Sequence, residues 1–316
     1  MNPKVRPAAS KGPAPAGPPA EELARRAFEW ACALDVHTRK PGNVSTASPG
    51  HRMDAALFLA SAAAAAPGLC APGERVGARI EAAVRASWAA AGCNTNLGIV
   101  LLAAPLLAAA QRWGPASGLA ALRRTLADVL AALDVEDARA AYRAIALAHP
   151  AGLGREARQD VASTPTVSLR AAMALAADRD LIAAQYARGF PEVFDPGLAT
   201  FAESLAGARH AGLAPAAAAR RAMLRAYLEF LGTHPDSHIV RKHGGALAHS
   251  VMAEATPWCE RARRGEALEE EPAFVAWDES LKQRGLNPGT SADLSVAAAL
   301  VAALAEPALA TGFPCG

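Results

Sequence analysis

Apolar side chains along this chain recur at intervals of three and four residues, the spacing of one face of an α-helix. From Glu21 to Leu34, positions Leu23, Ala27, Trp30, Ala31 and Leu34 fall on a single stripe. They predict an amphipathic helix that stops before Lys40-Pro41-Gly42. The same periodicity returns, interrupted at Gly or Pro, over 53–66, 75–91, 98–112, 116–132, 136–148, 168–189, 198–209, 215–231, 244–263, 270–284 and 291–305. Alternating β-branched runs closed by Asn-Gly or Asp-Gly turns, the signature of hairpins, are absent from this pattern. The predicted fold is therefore all-α: a single multi-helix bundle domain starting near residue 21, with no fixed-period repeat of the kind that builds a solenoid. The longest non-helical stretch inside it runs from His149 to Ser168, a length that in compact domains often carries function. Residues 1–20 hold Lys4, Arg6 and Lys11 among Pro, Ala and Gly, without the apolar segment of a secretory signal, and read as a disordered tail.

Composition narrows the picture. Hydrophobic residues make up 52% of the 316 and aromatics 5%, so Ala, Leu and Val carry the apolar content, and Ala and Leu are strong helix formers. No apolar run has the ~20 residues needed to span a bilayer. The 32 basic and 30 acidic side chains give a formal net charge of +2 and are spread along the chain, which argues against a nucleic-acid arm or a polybasic membrane patch. The expected partners are small molecules, with neither nucleic acid nor membrane, and the oligomeric state is left open. Five scattered cysteines without Cys-x-x-Cys or Cys/His spacing read as reduced thiols, which points to the cytoplasm.

In a helical protein, chemistry gathers where polar residues meet helix ends, because the first turn presents unpaired N–H groups and a partial positive charge. Four segments stand out. Lys40-Pro41-Gly42-Asn43-Val44-Ser45 offers a cation, a glycine for close approach, and amide and hydroxyl groups. Gly92-Cys93-Asn94-Thr95-Asn96-Leu97-Gly98 places three polar side chains in a row between two helices, more than one cap requires. From Thr233 to Gly244 lies the densest cluster of titratable groups, with Asp236 at a helix start and His238 and Lys242 four residues apart on one face. Asn287-Pro288-Gly289-Thr290-Ser291-Ala292-Asp293 opens the last helix. By contrast, Asp178-Arg179-Asp180 reads as a solvated ion-pair face within a helix.

Taken in order, these segments resemble the triphosphoribosyl-dephospho-CoA synthase family, and the resemblance spans about residues 21 to 305. The family carries Lys-Pro-Gly, a His-x-Asp-Met-like helix start running into Ala-Leu-Phe-Leu-Ala-Ser, Asn-Thr-His-Lys-Gly, an Asp-led stretch ending in Arg and Gly, and a final Asn-Pro-Gly-Gly-Ser-Ala-Asp-Leu. Here these correspond to Lys40-Pro41-Gly42, His51-Arg52-Met53-Asp54 before Ala56–Ser61, Asn94-Thr95-Asn96-Leu97-Gly98, Asp236 to Gly244, and Asn287 to Leu294. The resemblance implies an all-α, cytoplasmic enzyme that transfers the triphosphoribosyl unit of ATP to 3′-dephospho-CoA and releases adenine. It also implies Mg2+ on the triphosphate, with ATP as substrate. By the same resemblance, Lys40, Asn43, Ser45, Asn94, Thr95, Arg241, Lys242, Asn287 and Ser291 bind ATP and its phosphates. Asp236, Asp293 and His238 are the catalytic residues, and Asp236, Asp293 and Asp54 are the magnesium ligands. The chain departs from the family at Asn96-Leu97, which stand where the family has His-Lys, and this keeps open a related ribosyl transferase with a one-carbon-cofactor acceptor of the methanopterin or methanofuran type. A non-catalytic helical binding protein is the alternative from another class. An ADP-ribosyl hydrolase would require a paired-aspartate metal motif near the N-terminus, which is not found.

Overall fold

The computed structural model describes residues 20–50, 53–150 and 159–311. Of the tail expected over residues 1–20, all but Ala20 lies outside them, as do the motif residues His51 and Arg52, and Ala20 opens the first helix. Among the described residues there are fourteen α-helices and no strand. The first half contains α1 (Ala20–His37), α2 (Ala55–Cys70), α3 (Val76–Ala91), α4 (Leu97–Ala110), α5 (Gly118–Ala131), α6 (Val135–Ala148) and α7 (Leu169–Ala174). The second contains α8 (Leu181–Arg188), α9 (Ala199–His210), α10 (Pro215–Thr233), α11 (Ser237–His243), α12 (Gly245–Arg263), α13 (Pro272–Gln283) and α14 (Gly289–Ala305).

Helix starts follow local chemistry. Asp54, Asp134, Ser168, Asp180 and Asp236 each accept a hydrogen bond from a first-turn N–H of the helix behind them, the role in which a short oxygen-bearing side chain does best. Pro occupies the first turn of α10 and α13, where its missing N–H costs nothing. The predicted helix 168–189 is broken in two by Asp180. Its Oδ1 accepts from the N–H groups of Ile182 and Ala183, both at 3.0 Å, and starts α8 afresh after a turn at 175–180. Before α9, a π-helical turn over Val193–Leu198 contains Pro196. Pro cannot donate in a regular helical ladder, and this supplies a local reason for the irregular turn.

Two apolar clusters form the interior. The larger draws on α1 to α10 and α14, and the smaller on α10 to α14. Helix α10 belongs to both, with Ala218, Ala222 and Phe230 facing one and Tyr227, Leu228 and Leu231 the other. The largely buried α4 and α14 run through the middle, and they are the helices that carry Gly98 and Asp293 near their starts. No single helix among the described residues is long and apolar enough to cross a membrane.

Pro105 inside α4 cannot donate to the carbonyl of Leu101 one turn earlier, so that oxygen is orphaned in the core. The hydroxyl of buried Tyr186 on α8 donates to it at 2.6 Å, which fixes α8 against α4. Burial pushes the Tyr186 phenol far up, so it stays protonated and able to donate. Tyr186→Phe is expected to cost about 1–3 kcal/mol, the price of leaving a buried carbonyl without a donor, measured as a lowered denaturation midpoint.

Candidate active site

Two motif segments interlock through backbone that only glycine permits. Gly42 adopts φ +78°, and a Cβ there would lie 2.8 Å from the carbonyl oxygen of Leu286 and from the ring of Pro288. Asp278 on α13 accepts from the Gly42 N–H at 2.9 Å and is ion-paired with Arg39 and Lys282, while the Tyr227 hydroxyl donates to the Pro41 carbonyl at 2.6 Å. The amide of Asn43 then donates to the Asn287 side chain at 2.9 Å. Residues 244 positions apart are thereby held side by side.

Asp236 makes the second junction. Its Oδ1 accepts from the N–H groups of His238 and Ile239 at the start of α11. Its Oδ2 accepts from both the N–H and the hydroxyl of Ser291 at the start of α14, each at 2.8 Å. One buried carboxylate thus serves two helix N-termini, where its charge is favoured. Burial pushes Asp236 up, and the bonds from Ser291, Ile239 and His238 oppose that shift.

Between these junctions lies a cavity of about 460 Å³, within the range of small-molecule sites. Asp35, Asp160, Asp180 and Asp293 line it with Arg179, Arg241 and His238. Asn43, Asn94, Thr95, Asn287 and Thr290 add amides and hydroxyls, and Met53, Phe58, Tyr142 and Ile145 an apolar wall. Asp293 is seated against α4 at Gly98, where a Cβ would fall 1.9 Å from its Oδ2. Burial first, then the charges of Asp35 and Asp236, push the Asp293 carboxyl well above the usual carboxylate range, with Arg241 pulling the other way. Arg241 pairs with Asp180 at 3.1 Å, so the triplet at 178–180, expected on the surface, supplies two cavity residues, Arg179 and Asp180, and a link from α8 to α11.

The sequence-predicted residues divide. Asn43, Asn94, Thr95, His238, Arg241, Asn287 and Asp293 come together on the cavity wall. Lys40 does not line it. Its side chain is fully buried, donating to the Asp35 carbonyl at 2.7 Å and lying 3.2 Å from the Asp35 carboxylate. Asp236 and Ser291 sit behind the wall and satisfy one another, and Ser45 is buried with its hydroxyl unbonded. Lys242 is exposed off the cavity, because α11 turns Arg241 inward and its successor out. Asp54 is exposed and caps α2 through the N–H of Leu57 at 2.9 Å, so it is not placed with Asp293. No three-residue metal cluster of His, Cys, Asp or Glu occurs among the described residues. Sequence reasoning overlooked Asp35 and Tyr142 and treated Asp180 as surface. The available signal was a carboxylate at a core position: Asp35 follows Phe28, Ala31 and Cys32 at helical spacing on the buried side of α1. Leu97, which stands where the family has Lys, faces the cavity itself.

Such a helical scaffold, gathering carboxylates, guanidinium groups and a histidine around one cavity, defines an enzyme for a charged small molecule. The model of the CitG family, ATP:dephospho-CoA triphosphoribosyl transferase, matches residues 21–311, and the chain belongs to that family. It is accordingly a transferase acting on dephospho-CoA with ATP as the donor substrate. Its fold is similar to a crystal structure from Archaeoglobus fulgidus assigned provisionally as triphosphoribosyl-dephospho-CoA synthase. The TM-score is 0.58 at 23% identity, over 79% of this chain and 99% of that one. No curated protein matches significantly.

The raised carboxyl of Asp293 sets a pH dependence. Above about pH 4 the unfolded chain has released this proton while the folded protein still holds it, so the group lowers stability as pH rises toward its folded pKa. Asp293→Asn removes that penalty. Thermal melts are expected to show the variant more stable than the parent near neutral pH, with the gap closing as the pH falls toward about 4.

Proposed function

We propose that the triphosphoribosyl transfer takes place in this cavity, with the triphosphate of ATP toward Arg179 and Arg241. Guanidinium groups match phosphate oxygens in a planar, two-bond geometry. The amides of Asn43, Asn94 and Asn287 and the hydroxyls of Thr95 and Thr290 complete the set of neutral donors. The observation that carries this reading is Asp293: a carboxylate on the cavity wall whose place is created by Gly98 and whose neighbours include three more aspartates lining the same space.

That charge pattern suits Mg2+, which takes one or two carboxylates and completes its shell with phosphate oxygens and water. Asp293 would hold it. When bound, the ion supplies neutralisation of the triphosphate charge. His238 is on the wall beside Gly289, where a Cβ would meet its Nδ1 at 2.7 Å, so glycine at 289 leaves the ring its space. In this reading His238 takes the proton of the attacking 2′-hydroxyl of the acceptor. Asp236 acts through others: by fixing the starts of α11 and α14 it sets the position of His238 and Asp293. The apolar wall of Met53, Phe58, Tyr142 and Ile145 excludes water from the reacting carbon. A cytoplasmic location, where ATP and reduced thiols are both at hand, belongs to the same proposal.

Adenine release from ATP, Mg2+ and dephospho-CoA tests the assignment. Asp293→Asn is expected to lower kcat by about 100-fold or more while the protein stays folded, and Arg241→Met to raise the KM for ATP by about tenfold, the loss of one charged hydrogen bond. An Asp293→Asn enzyme releasing adenine within about threefold of the parent rate would sink the reading.

A further inference from the structure

Asp35 belongs to none of the motifs and sits in the last turn of α1. It is 3% exposed, yet it lines the cavity. A buried carboxylate is costly unless its charge is balanced and its oxygens are hydrogen-bonded. The other buried aspartates among the described residues are each held by several protein donors. Asp236 takes donors on both oxygens, Asp278 takes the Gly42 N–H and two cations, and Asp137 takes the N–H groups of Gly77 and Asp134 with Arg75. Asp35 differs. Its partner is Lys40, whose ammonium lies 3.2 Å from Oδ1 but directs its shorter hydrogen bond to the Asp35 backbone carbonyl, so the carboxylate has an ion pair and no N–H group of the backbone. Lys40 itself is fully buried, so the pair has no solvent to finish its solvation.

A structural carboxylate would be expected to bond like the other three. One that has a single cation for a partner and lines a substrate cavity is arranged for something that arrives. Building on the transferase site above, we propose that Asp35 is a second catalytic carboxylate, which faces the ribose carbon that becomes positive as adenine leaves. Lys40 is then its counter-ion and not a phosphate ligand. In this step the bond from ribose C1 to adenine breaks, and its electron pair leaves with adenine. The acceptor oxygen forms the new bond to C1. The hydroxyl proton passes to His238 and is matched by one taken up on the departing adenine. Asp35 exchanges neither proton nor electrons; it opposes the developing positive charge with a fixed negative one, in a site where water does not screen it. Asp293, electrostatically coupled to Asp35, holds the phosphate side of the same centre.

The Asp35→Asn, Lys40→Met and double variants separate this role from a structural one. Asp35→Asn alone leaves Lys40 without its counter-charge and is expected to lower the melting midpoint. The double variant removes both charges and is expected to restore the midpoint. If Asp35 is catalytic, the double variant regains stability but releases adenine about 100-fold more slowly than the parent, with a KM for ATP within about threefold. A double variant that regains turnover together with stability, or that stays unstable, overturns the proposal. So does an Asp35→Asn enzyme with kcat near the parent value. Asp293→Asn in the same assay keeps the two readings apart. If Asp293→Asn is inactive while Asp35→Asn is active, only the role of Asp35 fails; if both are active, the transferase site itself is misplaced.

Discussion

Everything at the site depends on where two helices begin, and the carboxylate of Asp236 decides that. Helix N-termini carry N–H groups without partners and a partial positive charge, so two of them brought together repel unless an anion lies between. Asp236 is that anion, with one oxygen on the first turn of α11 and the other on Ser291 in the first turn of α14. The helices it joins carry His238 and Arg241 on one side and Asp293 on the other. A buried charge that is fully bonded by fixed donors is rigid, and rigidity here means that the cavity-facing groups hold their positions before any substrate binds.

Around that pin the fold collects negative charge that packing alone would avoid. Asp35, Asp180 and Asp293 share one small space with Arg241, and burial together with the neighbouring carboxylates pushes Asp293 well above the usual carboxylate range. A carboxylate cluster of this kind lowers stability and is kept where function needs it. The neighbouring structure compensates with close backbone approach. Gly98 gives Asp293 its place against α4, and Gly42 lets the Lys-Pro-Gly turn lie on the Asn-Pro-Gly turn, each at a contact that a methyl group would prevent. The glycines and the aspartates are thus two halves of one arrangement, although they lie far apart in sequence.

The helical content was legible because Ala-rich amphipathic stripes have one dominant period, and the starts at Asp54, Asp134, Ser168 and Asp236 obey ordinary capping chemistry. The break at 175–180 was not legible. Alanine favours continuing the helix through it, and what ends the run is a cap by Asp180 whose other oxygen pairs with Arg241, 61 residues away. Lys40 was expected at the phosphates and Asp35 was overlooked for a related reason. A lysine beside Pro-Gly looks like a free cation until α1 is seen to end against it, and an aspartate next to an apolar stripe draws no notice until the end of α1 is seen to be buried all round.

By itself, the sequence determined the all-helical class, most of the helix boundaries and the order of the motif segments that mark the family, because period, capping and turn chemistry act over a few residues. It also named seven of the residues that meet at the cavity: Asn43, Asn94, Thr95, His238, Arg241, Asn287 and Asp293. Only the tertiary structure decided which polar groups face the cavity and which are spent on each other. That choice sent Asp236, Ser291 and Lys40 behind the wall, turned Lys242 to solvent and brought Asp35, Asp180 and Tyr142 in. The physical reason is that hydrogen-bond satisfaction of a buried group is settled by partners distant in the chain, and no local pattern records who they are.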